Sequence, residues 1–403
     1  MIREYTYKFR LYPNKQQEIL LSKHFGCVRF IYNHFLDRRT KYYLTAKEKQ
    51  LSKKSFNYFD DAAELTKLKQ LPETEWLYEV NSQTLQHSIK HLDGAFNRFY
   101  KKLANFPKFK KKNRKNSFRV PQFVTVEEGK VFFPKFKEGI VVDQHRLIEG
   151  EIKNATISRT PSGRYFACIG VERDIKELEK TSASVGVDIG IKSLAVTSDG
   201  YTFPNIKPFR TLETKIKTLN KALSRTTKDS KGREKARKRL AKVYEKIADI
   251  RSDHLHKISR KLVDENQIIV LEDLNIKGMM TNRKLSKSIW DCSLSELVRQ
   301  IKYKAEWFGR TVVQIDRWFP SSKTCSCCGY IKDDLTLADR EWTCTHCNVH
   351  HDRDKNAATN ILVQGLNSLN KTLTAGTAGL AECLGVRLAL KSKQLIDSET
   401  STL

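Results

Sequence analysis

Acidic residues of this sequence lie at the ends of three separate apolar or helical segments. Asp188 ends the run SVGVD, Glu272 ends IIVLE, and Asp352 and Asp354 both stand at the entry of a helical segment in HHDRDKNAATNIL. A carboxylate set in buried chain is costly unless something compensates for its charge. In phosphodiester hydrolysis, carboxylates hold two Mg²⁺ or Mn²⁺ ions about 4 Å apart, and the ions compensate for that charge. The order strand, strand, helix start therefore predicts that these acids meet at one end of a mixed sheet.

Each acid taken alone has an ordinary structural explanation. Asp188 could be a hydrogen-bonded structural residue, and Glu272 or Asp273 could cap the segment that follows. Asp352 or Asp354 could be the N-cap of the last helix. The set is more specific than its members, so we predict a two-metal site, with these structural roles as the alternative.

Cysteines form a second set of candidate ligands. The pairs Cys325–Cys328 and Cys344–Cys347 are two CxxC knuckles separated by fifteen residues. Four thiolates at this spacing can bind one tetrahedral Zn²⁺ ion, and such a site is structural because no position is open to water. Cys327 is a rival ligand, and three histidines follow closely.

The charge of the chain predicts a polyanionic partner. Its 74 Lys and Arg residues outnumber 46 Asp and Glu, which gives a net charge of +28. The segment 101–119 contains nine basic residues, no acid and the interleaved Phe106, Phe109 and Phe118. We predict phosphate contacts together with aromatic stacking, with a solvated loop as the alternative. The predicted phosphate-binding residues are Lys108, Lys110, Lys111, Lys112, Arg114 and Lys115.

Other features limit where the protein functions. No apolar run approaches the ~20 residues of a membrane span, and the N-terminus lacks the apolar core of a signal peptide. Clustered cysteines are more typical of a metal site than of a disulfide framework. These features predict a cytoplasmic, prokaryotic protein that associates with the nucleoid when it binds DNA.

Apolar periodicity predicts the elements that would position these residues. Residues 1–11 and 119–173 are β-rich and could close a small barrel, which a helical block from residue 15 to about 103 interrupts. Residues 184–203 predict a two-stranded hairpin with its turn at Asp199-Gly200.

Further along, helices and strands alternate. We predict one long helical stretch over 211–263, a strand over 267–271, a helix near 294–308 and a strand over 311–315. A last helix begins near Asp354, and the chain after Gly365 is expected to be poorly ordered.

Several motifs together resemble the TnpB family of transposon-encoded proteins, compact relatives of type V CRISPR effector nucleases. The motifs are VGVDIGIKSLAVTSDG, DHLHKISRKLV, IIVLEDLNIKGM, SSKTCSCCG and WTCTHCNVHHDRDKNAATNIL, and the opening YKFRLYPNKQQEILLSKHFGCVRFIYNHFL is also similar. The resemblance covers residues 3–365. It places Asp188, Glu272 and Asp354 on the RuvC catalytic acids, the last because it precedes Lys355-Asn356-Ala357-Ala358.

The resemblance implies an α/β multidomain protein. Its parts are an RNase H-like RuvC nuclease domain (182–320 and 350–370), a zinc-ribbon-like insert (321–349), a wedge β-barrel (1–11 and 115–176), a helical recognition domain (12–114) and a disordered C-terminal tail (371–403). Two Mg²⁺ or Mn²⁺ ions and one structural Zn²⁺ ion are the implied cofactors.

The resemblance also implies an activity. The protein would be a transposon's RNA-guided DNA endonuclease, cutting double-stranded DNA next to a short target-adjacent motif. Its partners would be a guide RNA from the transposon end, one protein per RNA, and the target DNA. Because no HNH-like segment is visible, one active site would cut both strands in turn. The alternatives are a DNA transposase and a nucleic-acid-binding regulator that does not cleave.

Overall fold

A computed structural model describes residues 2–48, 56–112, 116–336 and 338–375. The described residues form two compact units, the first from those up to Asp174 together with Asp229–Lys242, and the second from Ile175–Lys228 and the described residues from Val243 onwards. None of the helices in the described ranges is long and apolar enough to cross a membrane.

The first unit is built on a seven-stranded antiparallel sheet. Its strands are β1 (Ile2–Tyr12), β2 (Asn116–Val120), β3 (Thr125–Glu127), β4 (Lys130–Phe133), β5 (Phe136–Asp143), β6 (Glu151–Arg159) and β7 (Tyr165–Asp174). The strand order is β2-β6-β7-β1-β5-β4-β3. Tyr7, Phe9 and Leu11 of β1 are buried at the period of two that is typical of a strand with one face in the core. Among the strands described, no pairing joins the edge strands β2 and β3, so the closed barrel stays a prediction.

Helices cover the segment that the sequence assigned to them. They are α1 (Lys15–Glu48), α2 (Tyr58–Gln70), a 3-10 helix (Pro72–Glu79) and α3 (Ser82–Tyr100). Ile31 of α1 and Ile89 of α3 are fully buried in one core that also contains Phe9 of the sheet. The helical block and the β-rich segments of this unit therefore share a single hydrophobic core.

The second unit contains a five-stranded mixed sheet. Its strands are β8 (Ser184–Asp188), β9 (Ser193–Thr197), β10 (Thr202–Pro204), β11 (Ile268–Glu272) and β12 (Thr311–Ile315). Their order is β10-β9-β8-β11-β12, with β8, β11 and β12 parallel to one another. Residues 184–203 thus form three strands and not the predicted two. The turn at Asp199-Gly200 is present but joins β9 to β10, and the additional turn at 189–192 interrupts a run that reads as continuous in sequence.

Helices and a small hairpin complete this part of the chain. They are α4 (Pro208–Ser224), α5 (Lys231–Glu265), α6 (Ile276–Met279), α7 (Ser286–Cys292), α8 (Leu294–Trp307), β13 (Glu341–Thr343), β14 (His350–Asp352) and α9 (Arg353–Ala375). The helical stretch predicted over 211–263 is divided into α4 and α5. Asp229, with a left-handed φ of 62°, lies in the break between them.

Alternate residues of β11 face opposite layers. Ile269 and Leu271 are buried in a core with residues of α5 and α8, whereas Ile268 and Val270 are buried with Ile361 and other residues of α9. Side chains alternate between the two faces of the sheet along a strand, and α9 covers the face of Ile268 and Val270.

Helix α9 continues past Gly365, although the chain after this residue was predicted to be poorly ordered. A Cβ atom at Gly365 would overlap the Val270 side chain, so this glycine permits a close approach of helix to strand. Leu366 and Leu369 follow it into the same core. The prediction of a poorly ordered chain was therefore wrong up to residue 375, and residues 376–403 lie outside the described ranges.

Gly186 of β8 provides a second close contact with α9. A Cβ atom there would overlap the carbonyl oxygen of Ala358 and come within 2.6 Å of the Leu362 nitrogen. These are backbone atoms, so a change of rotamer cannot relieve the overlap.

We expect Gly186→Ala to lower the free energy of unfolding by about 3 kcal/mol, measured by denaturant unfolding. Gly94→Ala is the control, because nothing lies within 4 Å of a Cβ atom at Gly94 in α3. This control should change stability by no more than about 1 kcal/mol. Equal stability of the two variants would contradict the close packing of β8 against α9.

Candidate functional site

Asp188 and Glu272 end two neighbouring parallel strands. β8 and β11 pair in register, so their carboxyl ends meet at the same edge of the sheet. The period of two places Asp188 on the face of Gly186 and Glu272 on the face of Val270. Both acids therefore leave the sheet on the side that α9 covers.

Helix α9 supplies the third acid. It packs against Gly186 through Ala358, and Asp354 lies one turn before that contact, towards the carboxyl edge of the strands. Asp188, Glu272 and Asp354 line one cavity of about 640 Å³. The structure thus brings together the three acids that the sequence selected, each of them half-buried.

The competing acids have other partners. Asp352 Oδ1 accepts a hydrogen bond from the Lys355 backbone nitrogen at 2.9 Å and so caps the start of α9. The Asp273 side chain is 44% exposed and forms an ion pair with Arg317. Neither acid lines the cavity, so the structural alternatives apply to these two residues.

The protein environment disfavours ionisation of Asp188 and Glu272. The pKa of Asp188 is raised from 3.8 to about 7, chiefly by burial and then by the charges of Glu272 and Asp354, while Arg353 lowers it. Burial also raises the pKa of Glu272, and a hydrogen bond donated by Ser321 opposes that rise. Carboxylates that repel one another in a half-buried cavity form a donor set that fits Mg²⁺ or Mn²⁺, because these ions prefer oxygen ligands and would relieve the repulsion.

We predict that the metal-free protein loses stability as the pH rises towards neutrality. Because folding raises the pKa of Asp188 to about 7, the folded protein holds this proton more tightly than the unfolded chain does. The stabilisation is complete below the unfolded pKa and is lost as the pH rises through the folded pKa. From about pH 5 to about pH 8, the Asp188 contribution to the free energy of unfolding should fall by about 2 kcal/mol.

Denaturant unfolding in buffer free of divalent cations measures this effect. Asp188→Asn cannot titrate and should show a correspondingly smaller loss over the same pH range. Identical pH dependence in the variant and the natural protein would contradict a raised Asp188 pKa.

Several residues that contact the acids were not predicted from the sequence to have a role at the site. Ser321 donates to Glu272, and Arg340 Nη1 lies 3.9 Å from Asp354 Oδ1. Arg353 is buried and donates to the carbonyl oxygens of Thr336 and Asp339. Serine and arginine are too common at surfaces to be selected by type. Position inside the SSKTC and HHDRDKN motifs was the only available signal for Ser321 and Arg353, and Arg340 lies outside the motifs.

The four CxxC cysteines form a compact cluster. The Sγ atoms of Cys325, Cys328, Cys344 and Cys347 all lie within 4.8 Å of one another, and two pairs are separated by 3.6 Å. A tetrahedral zinc ion with Zn–S bonds of about 2.3 Å requires sulfur atoms about 3.8 Å apart. The cluster therefore fits a structural zinc ion. The rival Cys327 is exposed and lies outside the cluster.

Two asparagines connect this cysteine cluster to α9. Asn356 accepts a hydrogen bond from the Ser326 nitrogen at 2.9 Å and donates to the Thr324 carbonyl at 2.7 Å. Asn360 donates to the carbonyls of Ser321 and Thr324. The first knuckle is thereby fixed to the helix that carries Asp354.

Residues of the predicted nucleic-acid-binding segment lie in different environments. Lys108, Lys111 and Lys112 are exposed. Lys110 instead lies with its Nζ 3.8 Å from the centre of the Tyr32 ring, and burial lowers its pKa to about 8. Asn33 holds the backbone of Lys110 through two hydrogen bonds. Lys110 therefore anchors the segment to α1.

Two aromatic residues of the segment are engaged in packing. Phe118 is buried in the core, so the prediction that it could stack on nucleic acid was wrong. Phe106 packs edge-on against Phe96 and Phe99, whereas Phe109 is 54% exposed. Arg114 and Lys115 lie outside the described residues.

A solved structure shares this architecture. The Cas12f1 chain of a cryo-EM Cas12f1-sgRNA-target DNA complex matches with a TM-score of 0.53 and 14% sequence identity, covering 89% of this chain and 98% of that chain. The likeness shows that this chain shares a mixed α/β fold with that chain.

Family models match three parts of the sequence. The model described as "Probable transposase" matches residues 166–283, the model described as "Cas12f1-like, TNB domain" matches 295–361, and a "Helix-turn-helix domain" model matches 1–48. In this structure the described part of the last span contains β1 and the single long helix α1.

Relatives match over most of their length. A Streptomyces pristinaespiralis protein named "Putative RNA-guided DNA endonuclease" is 40% identical over 365 residues, or 90% of this chain and 89% of the relative. "Putative RNA-guided DNA endonuclease InsQ" of Escherichia coli K12 is 31% identical over 383 residues, covering 91% and 93%. "TnpB-like protein L770" of Acanthamoeba polyphaga mimivirus is 22% identical over 391 residues, covering 89% and 73%. The chain belongs to the TnpB family, which confirms the resemblance seen in its motifs.

Proposed function

We propose that this protein is an RNA-guided DNA endonuclease that cuts double-stranded DNA next to a short target-adjacent motif. The observation that supports the proposal best is the convergence of Asp188, Glu272 and Asp354 in one cavity, where the charges of Glu272 and Asp354 oppose ionisation of Asp188. The names of the relatives and of the Cas12f1 complex agree with guided cleavage.

In this mechanism Asp188, Glu272 and Asp354 hold two Mg²⁺ or Mn²⁺ ions. When bound, the ions supply an activated water for attack on the phosphodiester and stabilise the leaving oxygen. The hydrogen bond from Ser321 orients the Glu272 carboxylate, and Arg340 and Arg353 add positive charge beside the acids. With one such site, the two DNA strands are cut in turn.

The cysteine cluster has a structural role in this proposal. Cys325, Cys328, Cys344 and Cys347 hold one Zn²⁺ ion, and the ion fixes both knuckles. Asn356 then transmits this order to the start of α9. Bound zinc would thereby help to position Asp354.

The first unit supplies nucleic-acid contacts in the same proposal. The seven-stranded sheet acts as the wedge, the helices α1 to α3 act as the recognition domain, and one guide RNA from the transposon end binds each protein. The guide pairs with the target strand and reads its sequence, while the protein reads duplex shape, phosphates and the adjacent motif.

We expect the double variant Lys108→Glu/Lys111→Glu to weaken RNA or DNA binding and to reduce its salt dependence. Each lost phosphate contact should change the slope of log affinity against log salt by about 0.7 to 0.9. Binding titrations at several salt concentrations measure the slope. Lys137→Glu, an exposed lysine on β5, is the control. Unchanged affinity and slope in the double variant would show that the segment is only a solvated loop.

Purification from cells that carry the flanking transposon DNA tests the proposed function. The protein should co-purify with RNA of transposon-end sequence and cut matching DNA only with Mg²⁺ or Mn²⁺ present. Cleavage or strand transfer without RNA would instead support a transposase. RNA binding without any cleavage would support a regulator.

A further inference from the structure

The cavity that contains the acids extends to a group of basic residues that the mechanism above does not use. Lys192, Lys207 and Arg210 line the same cavity as the acids, and all three are exposed. In the part of the chain that the structure describes, no carboxylate forms an ion pair with Lys192 or Lys207. The lining of the cavity therefore includes exposed cations as well as the three acids, and the buried Asp291 also lines it.

One asparagine joins the two segments that carry the lysines. Asn205 is half-buried and donates to the carbonyl of Ile191, next to Lys192, at 2.6 Å. It also accepts a hydrogen bond from the Lys207 nitrogen at 3.2 Å. These bonds hold the backbone of both lysines in fixed positions at the cavity.

The backbone at Lys207 is in an unfavourable conformation. Its φ is 43°, in the left-handed region that side chains other than glycine rarely adopt. Such conformations are concentrated at sites that bind ligands or substrates.

The backbone amides at the start of α4 are not free to bind an anion, so any anion bound here would contact side chains. Asp291 is buried and accepts hydrogen bonds from the backbone nitrogens of Phe209 at 3.0 Å and Arg210 at 3.4 Å. These amides are therefore already occupied. The Arg210 guanidinium donates to Ser288 Oγ at 3.2 Å and is thereby oriented.

We propose that Lys192, Lys207 and Arg210 form a subsite for a phosphodiester of the strand being cut, next to the phosphate at the acids. This inference rests on the proposed function. A nucleic-acid strand carries its phosphates in a continuous series, so a strand with one phosphate at the acids carries others along the same cavity. The ammonium and guanidinium groups bind a neighbouring phosphate and so fix which phosphodiester is cut.

Replacement of single DNA phosphates by an uncharged group tests the subsite directly. The target strand and the displaced strand are prepared with a methylphosphonate, which lacks the negative charge, at one position at a time around the cut. Single-turnover cleavage by the protein–RNA complex is then measured for the natural protein, for Lys192→Gln/Lys207→Gln, and for the control Lys221→Gln. Lys221 is an exposed lysine of α4 that does not line the cavity.

We expect one methylphosphonate beside the cut to slow the natural protein by about tenfold or more. The double variant should cut unmodified DNA about tenfold more slowly and lose the sensitivity at that one position. The Lys221→Gln variant should behave as the natural protein does.

The outcomes separate the inference from the proposed function. If the natural protein cuts but the double variant keeps the same rate and the same methylphosphonate sensitivity, the subsite is wrong and the nuclease stands. A double variant that is slower at every position, with unchanged sensitivity at each, would show that the lysines only balance the charge of the acids, which also overturns the subsite. If the natural protein with guide RNA leaves matched DNA intact, both proposals fail together.

Discussion

Asp188→Asn should reduce DNA cleavage by at least about a thousandfold, because loss of a metal-binding carboxylate removes several kcal/mol of transition-state stabilisation. RNA binding should stay within about twofold, since one residue in a cavity contributes little to a large basic interface. The substitution keeps the side-chain shape and removes a charge that the fold disfavours. The metal-free variant should therefore be at least as stable as the natural protein near neutral pH.

Asp273→Asn is the matched control for this result. Asp273 follows Glu272 directly, but it pairs with Arg317 and does not line the cavity. It should cut at a rate close to that of the natural protein. Equal losses of cleavage and RNA binding in Asp188→Asn would show that Asp188 has a structural role only.

Cys344→Ser should remove bound zinc and lower the thermal stability of the protein together. Cys344 is fully buried in a small core with Cys325, Leu335 and Trp342, so its loss removes both a ligand and the order of this core. A structural zinc ion contributes directly to the free energy of folding, and several kcal/mol should be lost with it. Zinc content by metal analysis and a thermal melt measure the two effects.

Cys327→Ser provides the comparison within the same knuckle. Cys327 is exposed and its thiol lies outside the four-sulfur cluster. This variant should keep its zinc and its melting temperature. The same zinc content in Cys344→Ser and Cys327→Ser would exclude the cluster as the zinc site.

The candidate site was predictable from the sequence where a residue able to bind metal stands at the end of a strand. Asp188 and Glu272 each end an apolar strand, so their types and positions together indicated a common sheet edge. The cysteine cluster was predictable because ligand spacing alone constrains a tetrahedral site. The choice between Asp352 and Asp354 needed the family resemblance, since both acids precede the helix. The structure places only Asp354 in the cavity, while its catalytic role stays a prediction.

Other features depend on contacts between distant residues and left no local signal. In the sequence, Gly365 looks like a residue that ends a helix. In the structure its lack of a side chain allows α9 to lie directly against Val270, 95 positions earlier. Lys110 looks like its basic neighbours, yet Tyr32 and Asn33 determine its buried position. The hydrogen bonds of Ser321, Asn356 and Asn360 depend equally on tertiary structure. Composition and periodicity describe single segments, and they do not specify which segments touch.

Anomalous scattering from Mn²⁺ would test the two-metal site most directly. Crystals of the protein–RNA complex with uncut DNA, grown with Mn²⁺, should show two peaks about 4 Å apart. The peaks should lie within bonding distance of Asp188, Glu272 and Asp354 carboxylate oxygens, and Asp188→Asn should weaken or remove at least one of them. No manganese at these three acids, or manganese bound elsewhere while the complex remains able to cut DNA, would contradict the proposed site.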